Sequence, residues 1–225
     1  MNTKRTAILI ALAMIFLDQA LKIWVKTHLM EGQEIIFANW ARLHFVENPG
    51  MAFSLELPGQ YGKLLLSWFR VFAISGIGYL LWGLLKEKNH PGLIYSGALI
   101  FAGAVGNLID SVFYGVVFSD SFARVAEVFP PQGYAPLMQG HVVDMLWFPM
   151  IHGVFPTWLP IWGGDFFEFF SPVFNIADSA ITVGVFLIIF FQKKFFSVSE
   201  KEVAFKEESP ENEILETEIS STPAA

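Results

Sequence analysis

No cysteine occurs among the 225 residues, so disulfides, thiolate zinc sites and cysteine nucleophiles are all excluded from this chain's chemistry. Charge is scarce as well: 16% of residues are charged against 54% hydrophobic, a balance foreign to soluble domains. The net charge of -7 does not imply a basic partner, because eight of the 21 acidic residues lie between Glu200 and Glu218. Two hydrolase classes lack their signatures. The histidines His28, His44, His90, His141 and His152 include no HExxH pair, which argues against a zinc peptidase. No GxSxG elbow occurs, and neither Lys22 nor Lys26 has an evident serine partner, which argues against a serine enzyme. No metal, no cofactor and no nucleic-acid partner is expected.

What is abundant is apolar sequence. A helix crosses the hydrocarbon layer in about 20 apolar residues, and four stretches qualify: roughly Thr6 to His28, Leu64 to Leu85, Leu93 to Phe113 and Pro172 to Gln192. The first follows Lys4 and Arg5 as a secretory signal would, but Asp18, Gln19 and Lys22 interrupt it and no small-residue cleavage site follows, so it reads as a retained helix. Lys4 and Arg5, Lys86 and Lys88, and Lys193 and Lys194 flank the spans on one side. By the positive-inside rule both termini are cytoplasmic, and the segments 29–63 and 114–171, with Ala52 and Gly133, lie outside.

In the first outer segment Ile35, Ile36 and Phe37 face Leu43, His44 and Phe45 across a short break, as in a hairpin. The second is rich in proline and holds Trp147, Trp158 and Trp162, a composition suited to irregular backbone at the headgroup level. Beyond Lys194 the sequence is too polar to offset its ordering entropy. The expectation is therefore an all-α integral membrane protein with four transmembrane helices and a small extracytoplasmic β/irregular subdomain. It would comprise a membrane domain over 1–196 and a disordered acidic cytoplasmic tail over 197–225.

Ionisable side chains inside a span cost about 2.5 to 3.5 kcal/mol each on insertion scales, so each needs a partner or a purpose. Asp18 and Lys22 share a face of the first span, Gly103, Asn107 and Asp110 a face of the third, and Asn175 and Asp178 a face of the fourth. All fall in the outer halves of their helices, with Asp178 about 9 Å below the start of its span. A purely structural reading makes them interhelical hydrogen bonds; Asp18 with Lys22 fits it best, Arg70 reads as a snorkelling residue, and Gly97, Gly103 and Gly106 as close packing. With metal and serine chemistry set aside, two carboxylates sharing a proton are the available hydrolytic device. Asp178 is one candidate. Asp144, in the apolar run HVVDMLWFP, is the other, although its local sequence alone favours an ordinary interfacial loop carboxylate.

Five ordered motifs carry a resemblance: LDQALK at Leu17 to Lys22, ENPGMAFS at Glu47 to Ser54, GAVGNLID at Gly103 to Asp110, HVVDM at His141 to Met145 and FNIADS at Phe174 to Ser179. Together they resemble the lipoprotein signal peptidase, or signal peptidase II, family of four-span aspartic peptidases, over Thr6 to about Gln192. The resemblance implies a bacterial inner-membrane endopeptidase that acts on lipid-modified prolipoproteins among membrane lipids, cutting before the diacylglyceryl-bearing cysteine near the outer face. It implies Asp144 and Asp178 as the catalytic pair, Asn48, Asn107 and Asn175 as hydrogen-bond donors to substrate or dyad, and Asp18, Lys22, Gly103 and Asp110 as bracing. A monomer is favoured.

Two features depart from the pattern. Ser111 stands where the family has an arginine, with Arg124 as the candidate substitute. Added segments at 118–139 and 150–170 are expected to decorate the outer face. A small polytopic transporter and a non-catalytic membrane assembly factor are the alternatives, the first disfavoured by polar groups near one face and not at midplane.

Overall fold

The computed structural model describes residues 2–49, 61–87, 89–169 and 172–207. Ala52 and the MAFS half of the Glu47–Ser54 motif lie outside the described residues, as do Lys88 and 208–225. Among the described residues, four helices are long and apolar enough to cross a membrane. They are α1 (Thr3–His28), α2 (Gly62–Lys86), α3 (Pro91–Ile109), prolonged by a π-helical turn (Asp110–Tyr114) and a short α4 (Gly115–Val117), and α5 (Ile176–Glu207). Large apolar side chains such as Phe16, Phe69, Phe72, Tyr79 and Phe190 face outward from them. Such a surface suits lipid, because acyl chains impose no hydrophobic cost on it.

Local chemistry sets the helix starts. The Asn2 side chain accepts from Lys4 N at 3.0 Å, and His90 Nδ1 accepts from Gly92 N ahead of Pro91 at the first helical position of α3. Span four begins later than its hydropathy implied, at Ile176 and not Pro172. The reason is that Phe174 is drawn into backbone bonding with Leu146, and Asn175 caps the helix. The far end also differs from expectation. α5 runs on to Glu207, past the point where irregular chain was expected from 197. Between Phe196 and Glu207 there is no Gly or Pro, and extending an existing helix is far easier than starting one.

The expected hairpin is β1 (Glu34–Ala38) with β2 (Ala41–Asn48), and β3 (Val142–Trp147) joins it antiparallel in the order β1-β2-β3. Between Leu43↔Leu146 and Val46↔Asp144, β2 carries one more residue than β3, a bulge of the kind that re-aims side chains. Past it, Asn48 and Asp144 share one face of the sheet, while Glu47 and Val143 share the other. A separate ribbon, β4 (Ile151–Val154) with β5 (Phe166–Phe169), follows.

The segment 118–139 is not surface decoration as the sequence suggested. Phe118 and Ala126 belong to one buried cluster with Val25, Phe45, Val143 and Met145. Adding a Cβ at Gly133 would bring it to 2.2 Å from Gly115 O, so the segment is seated against the end of the third span with no room for a side chain there.

Candidate active site

Asp178 is positioned by the start of α5. Asn175 is the cap residue, and its Oδ1 accepts from Asp178 N at 2.9 Å, which puts Asp178 in the third helical position. The positive end of a helix favours a carboxylate there. Asp178 thus stands about 3 Å from the helix start, shallower than the 9 Å expected, because the helix begins four residues later. A second amide of this turn that lacks a partner within the helix, the buried Ala177 N, donates to Asp18 Oδ1 at 2.9 Å, so Asp18 satisfies a helix end as well as forming its ion pair with Lys22.

Asp144 arrives from β3 and is 4% exposed, whereas Asp178 is half-buried. Asp144 Oδ2 accepts from Asn48 Nδ2 at 3.0 Å and Oδ1 from Asn175 Nδ2 at 2.7 Å. Asp178 Oδ1 accepts from Asn107 Nδ2 at 2.7 Å. Burial pushes the Asp144 carboxyl up to about 7, and the negative charge of Asp178 pushes in the same direction, against the two asparagine donors. The three asparagines and two aspartates singled out in the sequence therefore converge on one place, drawn from β2, α3, β3 and α5.

Lys22 organises the layer beneath. Its Nζ lies 2.9 Å from Asp18 Oδ2 and 2.8 Å from Asp110 Oδ2, and donates to Asn107 Oδ1 at 2.9 Å. An ammonium only donates, so Asn107 must turn its oxygen to Lys22 and its amide nitrogen to Asp178. Gln19, notable in the sequence only as a polar break in the first apolar run, donates to Asp110 Oδ1 at 2.9 Å and accepts from Tyr114 Oη at 3.1 Å. The π-helical turn carries Asp110, Ser111 and Tyr114 inward, all three buried. Gly103 permits the close crossing of α3 and α5: a Cβ there would sit 2.2 Å from Ala177 O, and one at Gly106 2.7 Å from Asp18 Oδ2.

Two sequence expectations are corrected here. Arg124 does not reach the site; its Nε donates to the Asp120 carbonyl at 3.2 Å on the exposed surface. Arg70 does not snorkel but donates from α2 to Ser111 Oγ, and its charge bears on Asp110, Asp178 and Asp144. A neighbouring helix thus brings a cation to Ser111, an approach invisible to a linear motif.

A second cluster was also missed. Lys26, fully buried, pairs with Glu47, donates to Ser121 Oγ at 2.9 Å and lies over the rings of Tyr134, Phe118 and Phe45 at 4.8, 5.6 and 5.9 Å. His141 Nδ1 is 3.3 Å from Glu47 Oε2. Burial would raise the Glu47 carboxyl, but the hydrogen bond with His141 and the charge of Lys26 override it and hold the group down at about 2. The signal was present in the spacing, since Asp18, Lys22 and Lys26 form one i, i+4 row.

The family model for signal peptidase (SPase) II matches residues 10–193. The lipoprotein signal peptidase of Porphyromonas gingivalis is 50% identical over 188 residues, covering 83% of this chain and 81% of that protein. The lipoprotein signal peptidase of Amoebophilus asiaticus is 39% identical over 186 residues, covering 80% of this chain and 74% of that protein. Among solved structures, a bacterial membrane enzyme determined by the in meso method at 1.9 Å resolution is similar, with a TM-score of 0.53 and 26% identity over 82% of this chain and 90% of that one.

Proposed function

This chain belongs to the signal peptidase II family, and we propose that it is an aspartic endopeptidase removing signal peptides from diacylglyceryl-modified prolipoproteins, with Asp144 and Asp178 as the catalytic pair. The observation that carries this reading is the convergence of a buried carboxyl raised to about 7 and a second carboxylate at a helix start, bridged by asparagines. Membership of a peptidase family leaves the transporter and assembly-factor readings without support.

In this mechanism Asp178, positioned by its hydrogen bond from Asn107 at the start of α5, takes a proton from the water that attacks the scissile carbonyl carbon. Asp144, carrying the shared proton, hydrogen-bonds to the carbonyl oxygen and then protonates the leaving amine as the C–N bond breaks. Asn48 and Asn175 hold Asp144 in place, Lys22 and Asp110 orient Asn107, and Asp18 and Gly103 hold α1, α3 and α5 together. Arg70 lowers the cost of gathering this many carboxylates. A lipid-anchored cysteine keeps its scissile bond at the bilayer surface, which is where the first turn of α5 would present Asp178. The Lys and Arg distribution supports an outward-facing site in the cytoplasmic membrane with both termini inside.

The test is cleavage of a diacylglyceryl-modified substrate by purified variants at matched protein levels. Asp144→Asn and Asp178→Asn should each lower turnover by more than about a thousandfold, and the double variant by little more, because the pair acts as one unit. Substantial turnover by either single variant would falsify the aspartic mechanism.

A further inference from the structure

The ribbon β4–β5 is rooted at the membrane end of α5. Leu146 and Phe174 exchange backbone hydrogen bonds at 2.7 and 3.0 Å, and the Phe148 ring lies 5.7 Å from that of Phe174, two residues before α5 begins. From this root the ribbon extends as a two-stranded sheet separate from β1-β2-β3. Such a pair is marginal in water at best. Yet this one turns large apolar side chains outward, with Trp158 78% and Ile161 76% exposed and Val154 and Phe166, directly opposite each other, exposed as well.

The tip meets the requirement for a poorly hydrated setting, because its backbone bonds to itself. Phe155 N donates to Asp165 O at 2.9 Å, Gly164 N to Phe155 O at 3.0 Å and Gly163 N to Leu159 O at 3.1 Å. From Phe148 to Phe169 there is no Lys or Arg, and the tip carries Trp158 and Trp162. An acidic protein partner would find no cation there. Indole rings, with an apolar body and one polar edge, concentrate at the headgroup level of bilayers.

We propose that the ribbon Ile151–Phe169 is an interfacial anchor, seated in the headgroup region of the leaflet that surrounds the N-terminal end of α5. Its partner is the phospholipid surface, continuous with the lipid-facing belt of the helices. The consequence is positional: β3 leads directly into the ribbon, so an anchored ribbon holds Asp144 at a fixed height relative to the membrane. This inference stands whichever reaction the dyad performs.

The natural absence of cysteine makes the test direct. The full chain carrying Trp158→Cys, and separately Ile161→Cys, is labelled with an environment-sensitive nitrobenzoxadiazole dye and reconstituted in nanodiscs of phosphatidylethanolamine and phosphatidylglycerol. Glu127→Cys serves as the water benchmark and Phe186→Cys as the acyl-chain benchmark. Both ribbon sites should emit blue-shifted light, and iodide should quench them about threefold less than the Glu127 site, since an anion is excluded from the interface. Headgroup-linked quenchers should act on them more strongly than deep acyl-chain quenchers. Water-like emission and full iodide quenching at both sites overturn the proposal. So does shielding that vanishes with one chain per disc, which points to a second copy, or shielding found in cells but not in nanodiscs, which points to a protein partner.

Discussion

Lys22 and Lys26 stand one turn apart on α1, both fully buried, and are held in opposite ways. Lys22 spends its donors on Asp18, Asp110 and Asn107, and through Asn107 its position is transmitted to Asp178. Lys26 gives its donors to Glu47 and Ser121 inside a cage of three rings, and Glu47 in turn meets the partly exposed His141. The same contrast divides the two strands they face: one side of β2 and β3 carries Asn48 and Asp144, bonded to each other and through Asp144 to Asn175, and the other carries Glu47 and Val143 towards α1. A buried charge is expensive wherever it sits. The Lys22 network converts that cost into the orientation of the Asn107 amide, whereas the Lys26 cage uses it to tie the three-stranded sheet and segment 118–139 to a helix.

The largest effect that would break this contrast is expected at Lys22. Lys22→Met strands Asp18 and Asp110 without their cation, a loss of about 3 to 5 kcal/mol for a broken buried pair. Pairing it with Asp110→Leu should recover part of the thermal stability in detergent, Asp18 staying without its cation, but not turnover, since Asn107 would still lack the donor that orients it. Restored turnover in that double variant would show that Lys22 is only structural.

At Lys26 the outcome should reverse. Glu47→Gln or Lys26→Met alone should destabilise by a similar amount. The double change Lys26→Met with Glu47→Leu should keep turnover within a few-fold, because a well-packed apolar pair can replace a buried ion pair. Glu47 also has a pH signature. Its carboxyl is held at about 2 against an ordinary 4.5, so the pair's stabilisation is complete above 4.5 and fades as pH falls towards 2. Melting temperatures followed through that window should drop more steeply for the native chain than for Glu47→Gln.

Asp144 has the opposite sign. Burial, then the charge of Asp178, raises it from 3.8 to about 7, so the folded protein retains a proton that the unfolded chain has released. Its contribution to stability therefore declines as pH rises from 3.8 towards 7, and the proton-sharing form of the dyad is lost as pH passes about 7. The alkaline limb of kcat/KM should lie near neutrality. A limb displaced to an ordinary carboxylate value would remove Asp144 from the acid role.

The smallest effect is expected at the end furthest from both lysines. Truncation after Phe196 should leave turnover within a few-fold of the full chain, even though α5 continues to Glu207. The site lies in the first turn of that helix, and the removed residues follow its apolar span. Loss of activity in a truncated protein that still inserts would assign the tail a role.

Apolar run length alone determined the four spans, because the bilayer's thickness demands about 20 such residues whatever the neighbours. The hairpin, read from two short apolar runs flanking a break, and the out-of-place polar residues Asp18, Asn107, Asp110, Asn175 and Asp178 were legible for the same reason, each being a local departure from its surroundings. Tertiary structure alone decided that Asp144 lies on a strand whose bulge and alternation face it to Asn48, and that Asn175 caps α5 while bonding Asp144. It alone brought Arg70 to Ser111 and enclosed Lys26 between α1, β2 and segment 118–139. Spacing reports which residues share a face of one element. Which face meets which partner depends on packing between elements far apart in the chain, where a buried donor is held by whichever acceptor the close crossing at Gly103 and Gly106 brings within reach.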